Sequence, residues 1–383
     1  MSQSLLKGFE VEMYTGRADG SVVGCAAEAA AALPEVVTEP DRRNLEYTTE
    51  PDASYQGQLQ ALLLPRQRLR QWLSQRQLTL LPGSTLSLGD SSRFERSDPS
   101  NPYHGYIEQT YGTRVVTASI HINLGLDSNA AIFAANRLLR CEGALLLALS
   151  ASSPFLDGAL SGAHSQRWRQ FPLTPERVPL FRDHSHYCRW MEQQLELGTM
   201  RNVRHLWCSV RPNGPDRPQQ LNRVELRICD LVTDPLELLA ITAYAELRLL
   251  QLLEDPSQDP LGASELNLEQ LEALADANDQ AAAQASLNAN LHHWRDGRPI
   301  TARQWLEEQL HQLDSWMANR QAGAWLSPLG KLLEQGNTAM RWLARHAKGE
   351  SIASIVTSEA SAMAKQEQTL LAGFMPSSPE DLG

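Results

Sequence analysis

The chain has 383 residues, 42% of them apolar, which is enough for a sizeable core and for one to three domains. A formal net charge of −11 argues against nucleic acid or an anionic membrane as the main partner, while leaving room for a local basic pocket. No run approaches the roughly 18 apolar residues of a membrane helix, MSQSLLKGFE lacks a signal-peptide core, and five scattered cysteines without a CxxC pair suit a reduced compartment, so a cytoplasmic protein is expected.

In chain order, KGFEVEMYTG predicts a strand over Gly8–Tyr14, with Phe9, Val11 and Met13 on one face and Glu10, Glu12 and Tyr14 on the other. Asn44–Thr49 reads as a second strand, Glu46 and Thr48 opposite Leu45 and Tyr47. A helix follows over Leu59–Gln77, and its basic run Arg66–Arg76 reads as a solvated face. Asp90–Tyr106 is a long polar loop rich in Ser, Pro and Asn. Val115–Leu124 is a strand with His121 and Asn123 opposite Ile120, Ile122 and Leu124, and Asn129–Ser150 is a helix. Ser153–Pro179 is a second long loop; loops of this length are usually functional or mobile, so both are candidates to close over a site.

Asp183–Gly198 is the next helix, and its DHSHYC start lacks the second ligand pair that zinc would need. Strands are predicted over His205–Arg211 and Arg223–Asp230, the latter with Glu225 and Arg227 opposite Val224, Leu226 and Ile228. The character then changes: Asp234 caps a helix, Pro235 takes its first position and Glu237 completes a capping box. DPSQDPLGAS reads as a linker, and everything from about Leu266 reads as helical, LHHW included. A capping box of Thr301 and Gln304 precedes Trp305, Leu306, Leu313 and Met317 on one helix face. MPSSPEDLG reads as a frayed tail. The expected organisation is a catalytic sheet-and-helix region over 1–252, a helical region over 265–374 packed on the same domain, and a flexible tail over 375–383.

Taken singly, each strand fits a sheet with one wet face. Taken together, the polar faces are unusual, because lysine, serine and glutamine are missing and glutamate, histidine and asparagine dominate, with one arginine. Such side chains bind hard or borderline divalent ions, and Mg²⁺ is commonly shared between carboxylates and phosphate oxygens. A face holding Mg²⁺ and a phosphate-bearing substrate is therefore expected. No P-loop, dinucleotide fingerprint or nucleophile elbow is present to offer another mode of phosphate binding or catalysis.

In this order, GFEVE, NLEYTTEP, HINLGL, ALSASSPFLDG, SQRW and VELRICD resemble the glutamate–cysteine ligase family, in the branch of bacterial carboxylate–amine ligases and plant- and cyanobacterial-type enzymes. The resemblance covers about Gly8 to Asp230. It implies an α+β fold: a curved, mainly antiparallel sheet with a glutamine synthetase-like active-site face, surrounded by helices, with a helical C-terminal third. It implies ATP-dependent joining of the γ-carboxylate of L-glutamate to the amine of L-cysteine through γ-glutamyl phosphate, with ATP and Mg²⁺ (Mn²⁺ as an alternative), and neither nucleic acid nor membrane as partner. By resemblance Glu10, Glu12, Glu39, Glu46, His121 and Glu225 are metal ligands, with Asp41 and Glu50 competing for the place of Glu39. His121, Asn123, Glu225 and Arg227 meet the nucleotide, and Arg227, Glu12 and His121 form the catalytic set. Arg167 matches the arginine that holds the glutamate carboxylate, and Arg211 resembles an arginine near the active site whose role is open. A different amine, or a non-catalytic binding relative, are the alternatives.

Overall fold

The alternating segments come together in one sheet. The computed structural model describes residues 4–317 and 320–374; the expected tail over 375–383 and the Met317 side chain lie outside the described residues. The strands are β1 (Lys7–Gly16), β2 (Val36–Thr38), β3 (Asn44–Thr48), β4 (Thr79–Leu81), β5 (Ile120–Gly125), β6 (Phe155–Leu156), β7 (Ala159–Leu160), β8 (Val210–Asn213), β9 (Arg223–Leu226), β10 (Asn290–His292) and β11 (Pro299–Thr301). The helices are α1 (Ala26–Ala32), α2 (Tyr55–Ser74), α3 (Pro102–Tyr111), α4 (Asn129–Ser150), α5 (Gln166–Gln170), α6 (His184–Glu196), α7 (Pro235–Glu254), α8 (Pro260–Ala263), α9 (Leu268–Ala285), α10 (Ala302–Met317), α11 (Ser327–Gln335), α12 (Thr338–Ala347) and α13 (Ile352–Ala372).

Seven strands form an antiparallel sheet in the order β2-β3-β1-β5-β9-β8, with β4 also paired to β1. The chain thus has the α+β class and antiparallel sheet expected. Val11 stands opposite both Tyr47 and Ile120, and Ile122 stands opposite Phe9 and Leu226. All of these are buried. On the other face the same register sets Glu12 opposite Glu46, Glu10 opposite His121, and Glu225 opposite Asn123 and Arg211. Register is firmly specified here, because a slip by one residue would send every carboxylate into the core and every aliphatic chain into the cleft.

Helices α4 and α7 pack together, and α4 lies against β8 and β9. Ser128 caps α4 by accepting from the Ala131 N–H, which fixes the start predicted for it. Both helices carry charges into the core, each with a partner. Glu142 accepts from Arg248 at 2.7 Å, Trp294 at 3.1 Å and Gln309 at 2.9 Å. Glu246 accepts from the Tyr55 hydroxyl at 2.5 Å and lies 3.3 Å from Lys7.

Several boundaries differ from expectation for local reasons. Helix α2 starts at Tyr55, one turn early, because Ser54 caps it. Strand β5 starts at Ile120 because Gly112–Val115 winds into a 3₁₀ turn, and β8 starts at Val210 because Val203–His205 does the same. The ladder of β9 ends at Leu226. The polar loop Asp90–Tyr106 contains the start of α3, where Asn101 is the cap and Pro102 the first residue. The loop Ser153–Pro179 contains the β6–β7 hairpin and α5. Asp234 caps α7 as expected, but the Glu237 carboxylate goes to Arg341 at 3.2 Å instead of back to the cap. Thr301 and Gln304 make both halves of their box. The expected linker is built of short turns capped by Asp255 and Asp259, the latter clamped by Arg137 at 2.5 and 2.8 Å. The region after Leu266 is not helical throughout, since LHHW enters the β10–β11 hairpin.

Candidate active site

The polar face of the sheet forms the floor of a cleft of about 850 Å³. Glu10, Glu12, Glu46, His121 and Arg211 line it from the strands, Arg227 from just past the end of β9, Arg167 from α5, and Glu39 and Arg217 from the connecting segments. Two sets of donors emerge. Ligand atoms of Glu10, His121 and Glu225 lie within 4.8 Å of one another, and so do those of Glu12, Glu39 and Glu46. Strand β1 feeds both, Glu10 to one and Glu12 to the other. The His121 Nδ1 sits 2.8 Å from Glu10. Ser119 ties the sets together, its hydroxyl donating to Glu12 at 2.8 Å and lying 3.2 Å from the His121 Nε2.

Of the three candidates for the place before Glu46, Glu39 joins this cluster. Asp41 is held by Arg43 at 2.7 Å and Glu50 is exposed. Asn123 does not line the cleft: it donates to Glu10 at 3.2 Å and accepts from Arg223 at 2.9 Å, behind the carboxylate that it orients. Glu225 is fully buried beneath two arginines, accepting from Arg211 at 2.7 and 3.1 Å, Arg227 at 2.6 Å and Asn213 at 2.6 Å. Burial would raise its carboxyl pKa, but Arg211, Arg227 and His121 outweigh burial and hold it well below the usual range. Arg227 is raised in turn, the charge of Glu225 overcoming burial.

Arg167 is buried, and its two Nη atoms donate to the carbonyls of Ile228 at 3.1 Å and Arg227 at 2.9 Å. Its placement depends on Asp230, which lies 3.8 Å from it. Asp230 also accepts from the Ser152 N–H at 2.9 Å and from the hydroxyls of Ser153 and Ser165, both at 2.7 Å. One buried carboxylate thus pins both ends of the ASSPFLDG…SQRW segment.

Sequence reasoning missed the wall facing the sheet. Tyr103, Phe171 and Trp207 line the cleft, the Tyr103 hydroxyl 2.9 Å from the His205 Nε2 and the Trp207 ring centroid 5.4 Å from that of Phe171. Arg217 was missed too. The available signal was the density of Tyr and His in PYHGYIEQTY; nothing local marks Arg217.

The second set of carboxylates is crowded. Burial first, then the neighbouring charge of Glu12, pushes Glu39 up to about 8; burial with Glu39, Glu12 and Glu10 pushes Glu46 up to about 10. Three carboxylates with converging oxygens at this cost fit a hard divalent cation, which prefers oxygen ligands. The sign of the pH effect follows. The folded chain keeps protons that the unfolded chain releases above the ordinary value of 4.5, so without a cation stability falls as pH rises from 4.5 through about 8 and about 10. Glu46→Gln mimics the protonated form. In EDTA at pH 8 it should be more stable than wild type in urea unfolding by up to about 5 kcal/mol, about 1.4 kcal/mol for each pH unit above the ordinary value of 4.5, and MgCl₂ should close the gap. A variant less stable than wild type in EDTA would contradict the crowding.

An antiparallel sheet carrying two carboxylate-rich ligand sets and paired arginines over a cleft is an architecture suited to divalent cations and anionic substrates. The chain belongs to Glutamate-cysteine ligase family 2 (GCS2), whose model matches residues 6–358. It is 28% identical over 243 residues to a provisionally named glutamate–cysteine ligase 2 of Sorangium cellulosum, covering 62% of this chain and 61% of that protein. It is 33% identical over 144 residues to a glutamate–cysteine ligase of Haloferax volcanii, covering 37% of this chain and 38% of that one. These matches therefore span less than two thirds of the relatives' length. Solved structures share the fold: a glutamate–cysteine ligase from Francisella tularensis in complex with AMP, with a TM-score of 0.69 at 13% identity (97% of this chain, 93% of that one), and a bifunctional glutathione synthetase from Pasteurella multocida, with a TM-score of 0.73 at 16% identity (95% and 53%). Among the described residues no helix is long and apolar enough to cross a membrane.

Proposed function

We propose that this protein is a cytoplasmic ATP-dependent ligase that joins the γ-carboxylate of L-glutamate to the amine of L-cysteine through γ-glutamyl phosphate, releasing ADP and phosphate. The observation that carries the reading is the convergence of Glu10, His121 and Glu225 beside Glu12, Glu39 and Glu46 at one cleft, with Glu225 buried beneath it and paired to Arg227. A carboxylate is a poor electrophile, and phosphorylating it brings two anions together. The six ligands would hold Mg²⁺, which would screen the phosphate oxygens when bound. Arg227 is locked in its charged form by Glu225, and it supplies fixed positive charge where the phosphoryl group passes. Arg167, held beside Arg227 by the carbonyls of Ile228 and Arg227, orients the glutamate. The cleft then favours attack by the amine over attack by water on the acyl phosphate.

A second reading keeps the chemistry and changes the amine. Tyr103, Phe171 and Trp207 give the cleft an apolar wall that suits a nucleophile bulkier than cysteine. Phosphate release from ATP with Mg²⁺ and L-glutamate, with and without L-cysteine, and with the product weighed by mass spectrometry, separates the two. Cysteine-dependent release yielding γ-glutamylcysteine is the expected result. Glutamate-dependent release indifferent to cysteine would move the assignment to another amine, and ATP hydrolysis independent of both amino acids would remove the ligase reading.

A further inference from the structure

Beyond the sheet, the cleft is walled at its β8–β9 end by the connection that follows Asn213 and carries Arg217. Its neighbours in the cleft have their charge or donors engaged: Arg211 and Arg227 on Glu225, and Arg223 on Asn123 and Asn222. Arg204 is exposed to water. Arg217 differs. Among the described residues no carboxylate forms an ion pair with it, and its Nη1, like the Nε of Arg167 and of Arg227, is buried with no hydrogen-bond partner. Burial, reinforced by the charge of Arg211, lowers its pKa to about 10. A guanidinium placed this way is costly unless an anion completes it.

The connection is a built one. Its first turn closes so tightly that a Cβ on Gly214 would lie 2.1 Å from the Gln220 carbonyl oxygen. The Gln220 N–H donates to Asp216 at 2.6 Å, and the Pro218 carbonyl lies 2.8 Å from the His184 Nε2 on α6.

We infer that Arg217 is a phosphate-binding residue of this cleft, taking an oxygen of the nucleotide's di- or triphosphate beside Arg211 and Arg227. The inference rests on the ATP-dependent reading above. It adds a residue to the phosphate end of the site that none of the sequence motifs contained. The planar fork of arginine suits a phosphate, and a charge-assisted pair in a buried setting is among the stronger hydrogen bonds.

The test is calorimetric binding of ADP, ATP, adenosine and L-glutamate, each with Mg²⁺, to wild type, Arg217→Gln and Arg217→Lys. Arg217→Gln should weaken ADP and ATP by about 10- to 100-fold, the range for losing a charged hydrogen bond, with adenosine and glutamate unaffected and Arg217→Lys intermediate. Equal ADP affinity in wild type and Arg217→Gln would overturn the inference. So would an equal loss for adenosine and ATP, or a loss confined to glutamate. Should Arg217→Gln fail to fold, phenylglyoxal labelling of the unaltered chain decides. ADP should slow modification of Arg217 and adenosine should not; labelling indifferent to ADP overturns the inference. A wild type that binds neither ADP nor ATP would remove the ligase reading itself, which keeps the two failures apart.

Discussion

Arg227→Ala is expected to lower ATP-dependent ligation by about 10³-fold, the upper range for removing one preorganised charge-stabilising donor, while the chain stays folded. Both halves follow from how Glu225 is held. In wild type its two oxygens accept from Arg211, Arg227 and Asn213. Without Arg227 the carboxylate keeps Arg211 on both oxygens and Asn213 on one, so no buried charge is stranded. The stability loss should stay near ~1–2 kcal/mol, the scale of a hydrogen bond to a charged group. Activity by product mass and stability by urea unfolding read the two effects separately. Ligation within a few-fold of wild type would rule out Arg227 as the source of that charge.

The reverse deletion has the opposite signature. Glu225→Ala removes the shared carboxylate of Arg211 and Arg227, two cations that are nearly buried. Breaking a buried pair from one side typically costs about 3–5 kcal/mol, and here two partners are left unmatched beside each other. Arg211 keeps only the carbonyls of Leu206 and Arg204, at 2.8 and 3.3 Å, and Arg227 keeps the His121 ring at 3.3 Å. Glu225→Ala should therefore be the most destabilising change in the site and far worse than Arg227→Ala, although both delete the same ion pair. Equal urea midpoints for the two variants would mean that Glu225 is not the central anion of the cluster.

The floor of this site was legible because it follows from period-two alternation. Glu10, Glu12, Glu46, His121 and Glu225 each sit on a strand whose opposite residues are aliphatic or aromatic, antiparallel pairing brings them to one face, and Arg227 follows just past the end of β9. Helix α4 was legible to the residue, because its apolar run begins directly after a serine cap. The walls were not legible. Tyr103 and His205 meet across 102 residues of chain, and Trp207 is fixed by backbone bonds to Thr174 rather than by a strand pattern. Helix α3 did carry a signal, Asn101 followed by Pro102, but the surrounding Ser, Pro and Asn residues hid it. The placement of Arg217 depends on the path of a turn, which no periodicity encodes. The short β10–β11 hairpin was missed because three-residue strands offer too few alternations to outweigh the helical runs around them.

Strand β1 also works as a ruler. Glu10 and Glu12 serve different ligand sets and are separated by two residues of extended backbone, a pitch of roughly 6.6–6.8 Å. That length cannot be tuned by side-chain motion; it is set by peptide geometry. The side chains then draw the two sets together, the His121 Nε2 of one lying 3.8 Å from the Glu12 carboxylate of the other. Inserting one residue between Glu10 and Glu12 would do more than lengthen the gap. It would turn one carboxylate into the core, so the two halves of the cleft are bound to be gained or lost together.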